Sequence, residues 1–457
     1  MTGKLPKISV AEHLAARIAT LEAAKLPAAV RQKCQDLVID VTGLCVTARN
    51  EDYVKSALAG WDDDGPCTAI GHARSLSAAG AAFVNGTAAH GEDFDDTFEG
   101  GPVHAGAVVV PAVLAACERH RAEGGAALLG IAVGAEVMCR LSTVVPKAVH
   151  KAGFHPTAIF GVMGAAAGVG AALGLNAKQI VDALGIAASF AGGVIEYLAE
   201  GAWTKRLHPG WAAQSGYRAA LLARGGFVGP RTVFEGTHGL FHGFAHTTEG
   251  DYGALVGDFG MRWVIETLAF KPYPCGTMAH PFIDCARRLA ARGIKPSDVK
   301  ELICEVAEGT VHRLWEPLAA KQRPPNGYAA KFATPFILAT GFVRGGVGLD
   351  AFTENAVRDP AVLALSSKVR YVIDPDNPYP NSFTGHIRAV LNDGQVVEER
   401  QPHFRGGASE PLTRADLEEK FMLNARHGGW DDKRAGGALK LLAKLYDGKI
   451  DLAPLLG

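Results

Sequence analysis

From about Val10 to Ala269 the apolar positions recur at three- and four-residue intervals. Segments such as AEHLAARIATLEAA, VRQKCQDLVIDVTGLCVTA, AALLGIAVGAEVMCRLSTVV and NAKQIVDALGIAASFAGGVIEYL therefore predict a succession of helices. Small residues fall at the same spacing in Gly161, Gly164 and Gly168, which lets helix axes approach closely. The run PTAIFGVMGAAAGVGAALGL, Pro156 to Leu175, carries no charge and reaches about the length of a membrane span. It is built of Ala and Gly and has no flanking aromatic belt, so it is read as a close-packed helix of a soluble bundle, with no membrane partner.

After Phe270 the pattern changes to strand-like alternation in VKELICEVA (Val299 to Ala307), KVRYVID (Lys368 to Asp374) and GHIRAVLNDGQVVEERQ (Gly385 to Gln401). The last of these predicts a hairpin turned at Asn392, Asp393 and Gly394. Helical pieces lie between the strands. From EPLTRADLEEKFMLNAR onward the chain is helical again, with Thr413 placed as an N-cap and acids following it. The expected fold is mainly α with a smaller α+β domain: residues 1–269 and 404–457 form the all-helical domain and 270–403 an α+β lid.

Composition narrows the partners. The 457 residues are 48% hydrophobic and 20% charged, and 46 Lys+Arg against 47 Asp+Glu leave a formal charge of -1. No basic arm exists to track a phosphate backbone, so nucleic acid is not an expected partner. The 8 cysteines include no C-x-x-C pair, which argues against a zinc knuckle or iron–sulfur cluster and fits free thiols in the cytoplasm. The start, MTGKLPKISVAEHLAARI, reads as the beginning of an amphipathic helix and not as a secretory signal.

Four clusters carry candidate chemistry. HGEDFDDTFEGGPVHAG, His90 to Gly106, offers His90, Asp93, Asp95, Asp96 and His104, and its D-x-D-D spacing admits a divalent metal, although it lacks the EF-hand pattern. Phe94 and Phe98 predict that one face is buried, so a metal site, a solvated loop and a polar cluster with tuned carboxylates all stay open. HKAGFHPTAIFG places His155 before the Ala/Gly helix with Thr157 as a possible N-cap. EGAWTKRLHPGWAAQSG sets Lys205, Arg206 and His208 between two tryptophans, suited to an anion or to a solvent-facing turn. FKPYPCGTMAH and NGYAAKF contribute Lys271, His280, Tyr328 and Lys331. No G-x-S-x-G, P-loop, dinucleotide-binding or H-E-x-x-H motif occurs.

Taken in order, FVNGTAAHGEDFDDT, HAG, VVPA, GFHPTAIFG, GAWTKRLHPGWAAQSG and FKPYPCGTMAHPFID resemble the MmgE/PrpD superfamily, which contains 2-methylcitrate dehydratase, cis-aconitate decarboxylase and iminodisuccinate epimerase. The resemblance covers nearly the whole chain. It implies a homodimer, no metal and no organic cofactor. It places Asp93, Thr97, His104, His155, Lys205 and Lys271 at active-site positions, with Tyr328 a weaker carry-over. The implied catalytic set is Asp93, His104, His155 and Lys205; Thr97, Arg206, His208, Lys271 and Tyr328 would bind substrate.

The expected activity is that of a cofactor-independent lyase. It would abstract a proton next to a carboxylate of a small di- or tricarboxylate and expel water, as a 2-methylcitrate dehydratase does. Epimerisation of an iminodisuccinate-type dicarboxylate is the alternative. Decarboxylation ranks lower, because the decarboxylase members have a histidine shortly after the lysine of the last motif where this chain reads Lys271-Pro272-Tyr273-Pro274-Cys275-Gly276. A non-catalytic carboxylate-binding protein and a metal-dependent hydro-lyase are the contrasting classes.

Overall fold

The computed structural model describes residues 8–101, 103–379 and 382–457. The first residues of the start segment lie outside these; the first helix begins at Val10, capped by Ser9 and Glu12 in a capping box. The chain divides into two compact units. One holds the chain up to Gly91, then Asp95–Leu268 and Thr413–Gly457; the other holds Glu92–Phe94 and Ala269–Leu412.

Seven long helices carry the site and its packing in the first unit: α1 (Ala28–Ala48), α2 (Ala78–His90), α3 (Ala105–His120), α4 (Gly124–Val144), α5 (Pro156–Ala172), α6 (Ala177–Phe190) and α7 (Thr204–Arg224). The uncharged α5 is buried along nearly its whole length and packs against α3, α4, α6 and α7. Its hydrophobicity on all sides follows from having helices on all sides. Among the described residues α4 alone is long and apolar enough to cross a membrane, yet it is mostly covered by neighbouring helices. It also carries a buried ion pair, Arg140 Nε to Glu136 Oε1 at 2.5 Å. The helix Arg414–His427 of the C-terminal tail packs on α1, and Thr413 caps it in a capping box with Asp416.

Glycines set the closest approaches. A Cβ on Gly164 would stand 2.8 Å from the carbonyl oxygen of Gly134, and one on Gly168 would stand 2.6 Å from that of Gly130, so α4 and α5 meet main chain to main chain. The same device joins α2 to α7, where a Cβ on Gly86 would lie 2.8 Å from Gly210 Cα. His90 stands one helical turn beyond Gly86 and His208 two residues before Gly210. The crossing therefore delivers both side chains to one place.

The second unit is α+β. Its four-stranded sheet runs Val369–Ile373, Val299–Val306, Gly385–Leu391, Val396–Gln401, with the first pair parallel and the others antiparallel. The hairpin turns where its sequence predicts, with Gly394 at φ 89. The helix His280–Ala291 covers the last two strands, and Thr334–Arg344 packs on that helix.

The return to the helical unit falls at Thr413, not at the expected residue 404. Main-chain and side-chain bonds hold the intervening segment to the second unit: Phe270 N–H to the Gly406 carbonyl at 3.0 Å, and Gln401 Nε2 to Glu410 Oε2 at 2.7 Å.

Gly210→Ala should destabilise the protein by about 1–3 kcal/mol, because the added methyl must push α2 from α7. Urea denaturation measures it; an unchanged midpoint would contradict the crossing.

Candidate active site

Four imidazoles gather in the helical unit. His90 ends α2, His104 precedes α3 as its N-cap, His155 is the N-cap of α5, and His208 lies in α7. Ring centroids lie 4.9 Å apart for His90 and His104, 5.7 Å for His90 and His155, and 5.3 Å for His155 and His208. The cap of α5 is thus His155 itself, with Pro156 at the first helical position; Thr157 sits inside the helix and is fully buried. Three of the rings are buried, whereas the His104 side chain keeps 13% exposure.

Hydrogen bonds fix how the protons sit. His104 Nδ1 lies 2.7 Å from the Asp96 carbonyl oxygen, which can only accept, so Nδ1 carries the proton. His90 Nδ1 lies 2.7 Å from Asp95 Oδ2, both side chains being fully buried, and donates to that carboxylate. His155 Nδ1 and His208 Nδ1 stand 3.1 Å apart. Two nitrogens at that distance share one proton, so the two neutral rings take complementary tautomers.

Burial first, then the neighbouring His90, His208 and Lys205, holds His155 well below the usual imidazole range. Burial, His90 and Lys205 bring His208 down to about 4. Both rings are neutral, proton-accepting groups at neutral pH.

Lys205 is buried in the first turn of α7, three residues from His208 and so on the same face. A cation at this end is disfavoured by the helix dipole, and the two together form a positive field suited to a carboxylate. Arg206 is rotated onto the neighbouring face, where its guanidinium lies 4.3 Å from the Tyr53 ring centroid. The structure does not bring Arg206 into the imidazole cluster. Tyr197, which no sequence pattern marks, stands edge-on to His155 at 6.1 Å and to His208 at 5.8 Å. Gly193 adopts a φ of 144, and a Cβ there would press on the His208 ring at 3.3 Å.

The acidic stretch is buried, which removes the solvated-loop alternative. Asp96 accepts from the Gly106 amide at 2.9 and 3.1 Å and so ties the head of α3. Burial and adjacent Asp95 nevertheless push its carboxyl up to about 8. Thr97 follows, buried on a two-residue strand.

One group among the described residues has metal-ligand character: His90, Asp95 and His104, whose ligand atoms all lie within 4.8 Å of one another. Two ligands on a common zinc-like ion stand roughly 2.9–3.3 Å apart. The 2.7 Å between His90 Nδ1 and Asp95 Oδ2 is a hydrogen-bond length, so the pair is a dyad and would have to part to admit an ion.

The remaining candidates lie in the second unit. Asp93 has a left-handed backbone at φ 54, and buried Lys271 donates to its carbonyl oxygen at 2.9 Å. Lys331 donates at 2.8 Å to both the main-chain and side-chain oxygens of Glu92. These two buried cations brace a strained segment, the kind of backbone that gathers at functional sites. Tyr328 is half-buried beside Phe332, with centroids 5.6 Å apart. His280 is buried, its Nε2 at 3.2 Å from the Cys275 carbonyl, and serves the packing of this unit.

The MmgE/PrpD N-terminal domain matches residues 12–252 and the MmgE/PrpD C-terminal domain residues 273–439. The chain belongs to the MmgE/PrpD family. It is 31% identical over 395 residues to human cis-aconitate decarboxylase, covering 80% of this chain and 76% of that protein. It is 27% identical over 445 residues to a cis-aconitate decarboxylase-like protein of Aspergillus oryzae, covering 92% and 91%, and 27% identical over 471 residues to the cis-aconitate decarboxylase of Aspergillus terreus, covering 97% and 94%.

The site's titrations set a pH dependence of stability. His155 and His208 are depressed, so the unfolded chain takes up protons that the fold refuses, and stability falls as pH drops below about 6.5. Asp96 is raised, so its contribution is full at acid pH and is lost as pH rises towards about 8. Together they place the maximum near pH 6.5. In urea denaturation at pH 5, 6.5 and 8, Asp96→Asn should remove the loss between 6.5 and 8; an unaltered alkaline limb would contradict it.

Proposed function

We propose that this protein is a lyase acting on a small tricarboxylate, which moves a proton at the carbon beside one carboxylate, with decarboxylation of a cis-aconitate-type substrate as the first reading. The observation that carries it is the cluster of four imidazoles beside buried Lys205, and the cis-aconitate decarboxylases among its relatives favour the carbon–carbon cleavage.

Electron bookkeeping shows what such a site must do. The bond from the methylene carbon to its carboxylate breaks, and that pair becomes a new double bond. The pair of the old double bond then takes a proton at the carbon beside another carboxylate. Carbon dioxide leaves and one proton is consumed. Lys205 at the head of α7 anchors a carboxylate, while His104, the accessible ring, and His155 hand over the proton. No metal or organic cofactor is needed for this sequence of bonds.

Loss of water from a 2-methylcitrate-type substrate is the second reading, favoured by Lys271-Pro272-Tyr273-Pro274-Cys275-Gly276, which has no histidine shortly after the lysine. It would use the same imidazoles, one removing the carbon-bound proton and one protonating the departing hydroxyl. We place the enzyme in the cytoplasm as a homodimer, a setting that suits its eight unpaired thiols.

Incubation with cis-aconitate, 2-methylcitrate and iminodisuccinate in deuterated water, followed by NMR, tests the proposal. The expected result is consumption of cis-aconitate, stoichiometric carbon dioxide and one deuterium beside a remaining carboxylate. Loss of water from 2-methylcitrate alone would replace the first reading by the second, and binding without label in any substrate would make the protein a carboxylate binder. Lys205→Met should raise KM about 10–100-fold, the value of a hydrogen bond to a charged group; a wild-type KM would remove Lys205 from the site.

A further inference from the structure

His90 was absent from the active-site positions implied by resemblance, yet it lies at the centre of the cluster, ringed by His104 and His155. Its Nδ1 is engaged by the Asp95 carboxylate. Its Nε2 is buried and has no hydrogen-bond partner among the described residues. A buried imidazole nitrogen left without a partner forgoes a hydrogen bond it would make in water, which a packing role alone does not explain. His90 is hydrogen-bonded to a side-chain carboxylate, the arrangement that stabilises an imidazolium, and the same Asp95 oxygen lies 3.6 Å from His104 Nδ1.

We propose that the Asp95–His90 pair is the proton store of the site: His90 Nε2 holds the proton that His104 or His155 passes to substrate, and Asp95 carries the counter-charge. This rests on the lyase reading above for its kinetic consequences. Each decarboxylation consumes one proton, so the donating ring must be recharged every turnover. As the donor's N–H bond breaks and the carbon–hydrogen bond forms, the Nε2 proton of His90 crosses to the emptied nitrogen. His90 returns to neutral with its Nδ1–H still on Asp95, and water reaching the cluster through His104 restores the store. His155 and His208 are unsuited to the task because burial keeps both neutral.

The titratable groups around His90 are Asp95 and Asp96 on the following loop, His104 at the head of α3, His155 at the head of α5, and Lys205 and His208 on α7. Behind them Asp40 of α1 lies beside Asp96, paired with Lys420 at 2.7 Å. Tyr53 approaches Gly91 from the helix Asp52–Ala59. Among these, Asp95 alone is bonded to the His90 ring.

His90→Asn keeps an amide N–H towards Asp95 and removes the Nε2 acceptor. It should lower kcat about 100–1000-fold, the range for a lost proton-transfer group, with KM nearly unchanged. Asp95→Asn should lower kcat less and shift the limb of the kcat–pH profile to lower pH, since the imidazolium loses its counter-charge. A wild-type kcat and pH profile in either variant overturns the proposal, as does a loss confined to KM. Should His90→Asn fail to fold, Asp95→Asn and His90→Gln decide by the same criteria.

Protein labelled with nitrogen-15 histidine supplies a readout that needs no substrate. The ring signals abolished by His90→Asn should report protons on both Nδ1 and Nε2 at the pH of activity, and Asp95→Asn should remove the one on Nε2. A bare Nε2 at that pH, or ring signals that Asp95→Asn leaves unchanged, overturns the store. If these signals behave as expected while no tricarboxylate is turned over, the substrate reading fails and the store stands.

Discussion

The contact of α2 with α7 at Gly86 and Gly210 is the constraint on which the site depends. With no side chain on either residue the two main chains touch, and a helix end bearing His90 is set beside a helix start bearing Lys205 and His208. Helix geometry does the rest: His208 and Lys205 share a face because they are three residues apart, and His155 meets them because α5 packs on α7. Burial follows from the same packing and sets the chemistry, since rings enclosed among helices resist protonation while one ring is given a carboxylate.

The acidic stretch after α2 draws its meaning from that enclosure. Asp95 and Asp96 are buried in the helical unit, where Asp95 bonds His90 and Asp96 ties the head of α3; Asp93, in the second unit, takes a left-handed conformation that Lys271 braces. A solvated loop of the same composition would bind cations weakly and leave the histidines at their ordinary titration. Drawn inside, Asp95 and Asp96 lie against the imidazoles.

Much of the fold was legible. The three- and four-residue recurrence of small and apolar residues gives the helices, and the charge-free α5 betrays a position inside a bundle. Period-two alternation and the Asn-Asp-Gly turn give the sheet. The segment 404–412 groups with the second unit through main-chain bonds at Gly406 and the Gln401–Glu410 bond, which join partners that no local pattern pairs. Lys205, Arg206 and His208 stand together in the sequence between two tryptophans, and only the helix that carries them separates Arg206, whose face turns to Tyr53, from the other two. The bond from His90 to Asp95 was not legible, because it crosses a helix end and a turn whose path depends on the positive φ of Asp93. Tyr197 is brought in by tertiary packing alone.

A crystal structure with tricarballylate, a saturated tricarboxylate that cannot lose carbon dioxide by this route, tests the central claim most directly. The account predicts one carboxylate within hydrogen-bonding distance of Lys205 Nζ and the carbon next to a carboxylate in van der Waals contact with a ring nitrogen of His104 or His155, with His90 still bonded to Asp95. A ligand seated away from the imidazoles, or a metal ion between His90 and Asp95, would contradict it.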